Sequence, residues 1–215
     1  MPVFQLSDEL IFPHASHGEA DGLLAIGGDL SADRLLLAYA NGIFPWYSEG
    51  MPICWYATNP RFVLFPDQVK ISKSMQQVMR KKSFRITTNE AFETVIEACA
   101  QIKRDHESGT WITSDMQAAY LTLFQRGFAR SIEVWQEEEL VGGLYGVEYN
   151  GCFFGESMFR RVSNASKLAL IYLCQQFDYR IIDCQVHTQH LESMGAEMIP
   201  LDQFLTIIQA TASSP

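Results

Sequence analysis

Along the chain, apolar residues recur with a helical period in some stretches and alternate with polar ones in others. Ser31 can cap a short helix in which Arg34, Leu35, Leu36, Ala38 and Tyr39 follow at helical spacing. Residues 71–79 and 91–102 also carry the helical period. A further helix runs from Ser114 or Asp115, either of which can cap it, through Ala118, Leu121, Leu123 and Phe124 to Gly127. Residues 131–135 alternate like a strand, 137–139 make a polar turn, and 140–149 read as the partner strand. Asn150 and Gly151 then predict a tight hairpin, because both central residues of such a turn need positive φ, and 152–159 form a third strand. Ser163 or Asn164 caps an apolar helix over 165–177. A strand over 180–186, a short helix ending at Gly195, and a last strand and helix complete the pattern.

Three antiparallel strands, a helix, and a strand that must lie beside them predict an α+β fold, with a mixed, mainly antiparallel sheet flanked by helices. The first sixty residues differ in texture, being rich in Gly, Pro and aromatic side chains around one short helix. They predict a small N-terminal α/β domain over 1–62 and a larger domain over 63–215. The break falls near Asn59-Pro60 or Phe65-Pro66, where proline pushes the preceding residue out of helical geometry.

Composition narrows the class. A chain of 215 residues with 47% hydrophobic content can bury a sizeable core. No run of about 18 uncharged apolar residues occurs, and Asp8 and Glu9 stand where a signal peptide would be basic, so the expectation is a soluble, cytoplasmic protein with no membrane partner. The five cysteines show no paired CxxC spacing and the five histidines no HExxH spacing, so no metal and no cofactor are expected. Net charge is −9, yet Lys70, Lys73, Arg80, Lys81, Lys82 and Arg85 follow one another with no acidic residue between them. That patch is either a solvated helix face or a nucleic-acid contact.

Candidate chemistry concentrates in the C-terminal half. In the strand 181–186, period-two alternation places Asp183 and Gln185 on one face and Ile182 and Cys184 on the other. The polar pair is either an edge wetted by solvent or a carboxylate and an amide that orient an attacking amine. Glu156 interrupts a very apolar strand and must therefore be paired, ligand-bound or exposed at a cleft. Gly142, Gly143, Gly146 and Gly155 mark close approach, either of a ligand or of a packed helix. Trp46, Trp55 and Trp111 lie in loop-like sequence, where they can stack on a base or pack between domains; Trp135 reads as core.

The ordered set of motifs resembles the leucyl/phenylalanyl-tRNA–protein transferase family. It comprises 22–31 (GLLAIGGDLS), 42–46 (GIFPW), 109–113 (GTWIT), 131–135 (SIEVW), 140–147 (LVGGLYGV), 155–159 (GESMF), 164–167 (NASK) and 182–186 (IDCQV). The resemblance implies an acetyltransferase-like (GNAT-like) second domain that takes the aminoacyl 3′ end of tRNA in place of an acyl-CoA. In keeping with that substitution, residues 160–166 contain no glycine where acetyltransferases hold a pyrophosphate. It further implies transfer of leucine or phenylalanine, with methionine a third candidate, to proteins beginning with Arg or Lys, which marks them for degradation. By position, Asp183 and Gln185 match the family's catalytic pair and Glu156 its acidic residue for the acceptor. Trp46 and Trp111 match aromatics near the terminal adenosine. Leu144, Phe153, Met158, Leu170, Phe177 and Ile182 would line the aminoacyl pocket. A small-molecule N-acetyltransferase and a non-catalytic tRNA or degron binder are the rival readings.

Overall fold

The computed structural model describes residues 3–102 and 111–210. A small sheet is built from β1 (Phe4–Leu6), β2 (Leu23–Gly27), β3 (Phe44–Pro45) and β4 (Cys54–Tyr56), in the order β1-β2-β4-β3. Against it lies α1 (Ala32–Ala40), whose first turn is closed by the Ser31 hydroxyl accepting from the Arg34 amide, as its spacing predicts.

The larger sheet contains β5 (Arg61–Leu64), β6 (Arg85–Thr88), β7 (Ala129–Gln136), β8 (Glu139–Tyr149), β9 (Cys152–Arg160), β10 (Ile182–Gln185) and β11 (Glu197–Ile199), in the order β11-β5-β10-β9-β8-β7-β6. Only the β9/β10 pairing in it is parallel. The helices are α2 (Lys73–Lys81), α3 (Phe92–Ala100), α4 (Ser114–Gln125), α5 (Ala165–Gln176), α6 (Gln189–Ser193) and α7 (Leu201–Gln209). One buried cluster covers one face of the sheet and joins Leu24, Leu35 and Tyr39 of the N-terminal part to Val95, Tyr120 and Phe154. A second cluster on the other face lies under α5. The α+β expectation, with helices on both faces, holds. Among the described residues no helix is long and apolar enough to cross a membrane.

The β7–β8–β9 meander and its Asn150-Gly151 turn form as predicted, with φ +47° and +67° at the two turn residues. Four local expectations need correction. Thr113, not Ser114 or Asp115, caps α4, its hydroxyl accepting from the Met116 amide. Asn164 sits at the start of α5 with φ +74°, but its side chain makes no capping bond. The strand expected over 180–186 is shorter, spanning Ile182–Gln185 with a bulge inside it. Finally, β5 lies where no element was expected. Its residues Phe62, Val63 and Leu64 are buried between β10 and β11, the setting that a short unbroken apolar run fits.

Candidate functional site

Two bulges on neighbouring strands build the site. On β9, Gly155 pairs with Gly146 and Ser157 with Tyr145, so Glu156 is the extra residue with no partner on β8. On β10, Asp183 pairs with Val63 and Gln185 with the adjacent Phe62, so Cys184 is extra, and Gln185 takes φ +62°. The parallel pairing of β9 with β10 stops at Phe154 and Asp183. Beyond that point a cavity of about 410 Å³ opens, within the range of roughly 300–1,000 Å³ usual for small-ligand sites.

The alternation expected on β10 survives the bulge: Cys184 packs with Ile182 in the cluster under α5, while Asp183 and Gln185 turn to the opposite face, and the cavity, opening at the strand's end, is lined by all four. Burial pushes the Cys184 thiol well above the ordinary range, which makes it an inert group and not a nucleophile. Asp183 turns toward the core on the Val63 side. Its carboxylate accepts from Arg61 twice, from Nε at 2.8 Å and from Nη2 at 2.7 Å, with both side chains wholly buried. Arg61 is further held between the rings of Phe44 and Phe204, at 4.6 and 4.8 Å from their centroids. The same carboxylate accepts from the Gln185 amide N–H at 2.9 Å, which pins the bulge. The Gln185 side chain donates through Nε2 to Glu156 Oε1 at 3.0 Å.

Of the settings open to Glu156, the paired one is realised. It is 7% exposed, and besides Gln185 it accepts from Tyr39 Oη at 2.8 Å and Tyr120 Oη at 2.6 Å. The two hydroxyls are themselves 2.6 Å apart. Burial, opposed by these hydrogen bonds and reinforced by the nearby Asp183 charge, raises its carboxyl to about 7. Burial and the Glu156 charge push both tyrosines well above their ordinary range.

Among the residues matched by resemblance, Leu144, Phe153, Met158, Leu170 and Ile182 line the cavity, with Trp46 and Trp111. Tyr47 Oη and the Thr113 hydroxyl, 3.2 Å apart, tie together the segments that carry these two tryptophans. Ser108, Gly109 and Thr110 lie outside the described residues. Phe177 does not line the cavity. It stands seven residues beyond Leu170, a displacement of about 10 Å along a helix, and packs under Arg130 and against Tyr179. Trp55 is core instead of a stacking platform, wholly buried with its indole N–H donating to Gly27 O at 2.9 Å. Trp135 is only part-buried, its ring under Arg85. The glycines mark close packing at Gly142, where a Cβ would sit 2.4 Å from the Ala165 Cβ of α5. Gly155 lines the cavity itself.

Lys70, Lys73, Arg80, Lys81, Lys82 and Arg85 are all exposed, on α2, its flanks and the edge strand β6, and do not line the cavity. Arg85 is also paired with Glu90 at 2.8 Å. Three residues of the constellation escaped the sequence reading: Arg61, Tyr39 and Tyr120. Arg61 carried a usable signal, a lone cation at the head of the apolar run Phe62-Val63-Leu64-Phe65, where a charge needs a buried partner.

Comparisons with known proteins bear on this constellation. The family model "Leucyl/phenylalanyl-tRNA protein transferase" matches residues 63–209, and its N-terminal-domain companion matches 28–59. A leucyl/phenylalanyl-tRNA–protein transferase of Syntrophus aciditrophicus is 53% identical, covering 100% of this chain and 91% of the relative. One of Flavobacterium johnsoniae is 49% identical over 97% of this chain and 100% of the relative. Among solved structures, a GCN5-related N-acetyltransferase from Kribbella flavida is 9% identical and covers 75% of this chain and 58% of its own, with a TM-score of 0.38, too distant to bear on chemistry. On the full-length matches, the chain belongs to the leucyl/phenylalanyl-tRNA–protein transferase family.

Proposed function

We propose that this protein transfers leucine or phenylalanine from the 3′ end of aminoacyl-tRNA to the α-amino group of proteins beginning with Arg or Lys, in the cytoplasm, and so marks them for degradation. The observation that carries the reading is the cavity at the β9/β10 divergence, apolar along Leu144, Phe153, Met158, Leu170 and Ile182 and polar at Glu156 and Gln185. The apolar wall takes the aminoacyl side chain, and Trp46 and Trp111 flank the adenosine that carries it. Methionine fits the same description.

The ester is already activated, so positioning does most of the work. The attacking amine has a reference pKa of about 8, which leaves a useful neutral fraction near neutrality. Its nitrogen attacks the ester carbonyl, the bond to the ribose oxygen breaks, and the amine's proton passes to that oxygen. Gln185, its Nε2 committed to Glu156, presents its side-chain carbonyl to the amine N–H. Asp183 acts as a positioning residue: with both oxygens held by Arg61 and the Gln185 amide, it fixes the bulge that aims Gln185. Glu156 marks the acceptor side of the cavity, where a cationic first residue is favoured.

The test is transfer of label from leucyl-, phenylalanyl- and methionyl-tRNA to peptides beginning with Arg, Lys or Ala. We expect transfer to the Arg and Lys peptides, with single-turnover rates cut at least roughly a hundredfold by Gln185→Ala. Binding of charged tRNA without any transfer would overturn the reading.

A further inference from the structure

The mechanism leaves a group of basic side chains near the cavity unused. His190 lines the cavity, and its Nε2 atom is buried with no hydrogen-bond partner among the described residues. Arg160 is two residues past Met158 on a regular stretch of β9, so it shares the strand face of a cavity-lining residue. Lys167 is three residues before Leu170 on α5, one turn from a cavity-lining residue on the same helix face. These three side chains come from β9, α5 and α6, and they converge: the charges of Lys167 and Arg160, after burial, are what hold the His190 imidazole below its ordinary range. Neither Arg160 nor Lys167 enters an ion pair among the described residues. The first turn of α5 adds its own partial positive charge, uncapped by the Asn164 side chain.

Uncompensated like charges near a cavity cost stability unless an anion joins them. An aminoacyl ester of a terminal nucleotide brings such an anion, because the phosphodiester of the preceding linkage must leave the cavity by its mouth. Resting on the tRNA reading above, we propose that Arg160, Lys167 and His190 form a phosphodiester subsite that grips the single-stranded 3′ end next to the terminal adenosine. The subsite is separate from the exposed run between Lys70 and Arg85, and it fixes the ester relative to Gln185 where that distant run cannot.

The test compares two donors carrying the same leucyl group: an aminoacylated CCA trinucleotide and 3′-leucyl adenosine, which has no phosphate. For Lys167→Ala and Arg160→Ala we expect kcat/KM to fall roughly tenfold with the trinucleotide and to stay unchanged with leucyl adenosine, with Lys167→Arg restoring most of the loss. Equal loss on both donors, or no loss on either, overturns the subsite. If the wild-type protein transfers from neither donor, the functional reading fails. The subsite is then still read by tryptophan fluorescence titration with the unacylated CCA trinucleotide and its uncharged methylphosphonate analogue. Preference for the charged linkage in the wild type, lost in both variants, supports it. Equal affinity for the two, or binding of inorganic phosphate alone, overturns it.

Discussion

A carboxylate and a guanidinium taken together into a dry interior gain little net stability as a pair, but removing one partner strands the other. Arg61 and Asp183 are both wholly buried, so Arg61→Met or Asp183→Leu alone should destabilise the protein by about 3 to 5 kcal/mol, read from denaturant midpoints. The double replacement should recover most of that stability. It should not recover transfer, because the Gln185 amide loses the carboxylate oxygen that pins it. Glu156 poses a different problem. Two tyrosine hydroxyls, those of Tyr39 and Tyr120, donate to its carboxyl and also lie within hydrogen-bond distance of each other. Even with these donors, burial raises its carboxyl to about 7. Since the folded carboxyl holds its proton more tightly than the ordinary value of 4.5, its contribution is full below pH 4.5 and is lost as pH rises to about 7. The stability difference between the wild type and Glu156→Gln should therefore move against the wild type across that window, by on the order of 3 kcal/mol, in urea titrations at stepped pH.

At the scale of elements, the cavity exists because two adjacent strands each carry one extra residue and then part. Their separation is held from one side by α5, a helix with eight buried residues and no broad polar face, which packs on β7, β8 and β9. The close fit is set at Gly142, where any side chain would strike Ala165 at the first turn of α5. Gly142→Ala should cost about 1 to 3 kcal/mol by overpacking and shift the wall that carries Leu170. Adding Ala165→Gly should return a large part of the loss, as measured by thermal unfolding; an undiminished midpoint in the single variant would mean that α5 yields freely. The helical and hairpin elements were legible because each rests on local chemistry. Ser31 caps α1, and Asn150-Gly151 supplies the positive φ of a tight turn. The bulges were not legible, since Cys184 and Glu156 look like ordinary strand residues until their partners on β5 and β8 are known.

Across the whole molecule, a net charge of −9 is reconciled with an anionic substrate by segregation of the cations. The exposed run between Lys70 and Arg85 lies on α2, its flanks and the edge strand, away from the cavity, where long-range attraction can act without touching chemistry. Replacing Arg80, Lys81 and Lys82 together by Ala should weaken binding of whole tRNA and lower the dependence of its affinity on salt by about two units of log-log slope, given roughly 0.7 to 0.9 per phosphate contact. Transfer from leucyl adenosine should be unaffected, and an unchanged salt slope would remove the patch from tRNA binding. The small sheet also reaches the site. Tyr39 of α1 meets Glu156, and Phe44 of β3 stacks on Arg61, so a single core spans both sheets. The linear sequence determined the helices, the meander, the family and the cavity wall from Leu144 to Ile182, because period, turn chemistry and ordered motifs are properties of neighbours along the chain. Only the tertiary structure decided that Asp183 is clamped by Arg61, that Glu156 accepts from two distant tyrosines, and that Phe177 stands outside the cavity. Those outcomes depend on which strand lies beside which and where pairing slips by one residue, and no local window of sequence contains that information.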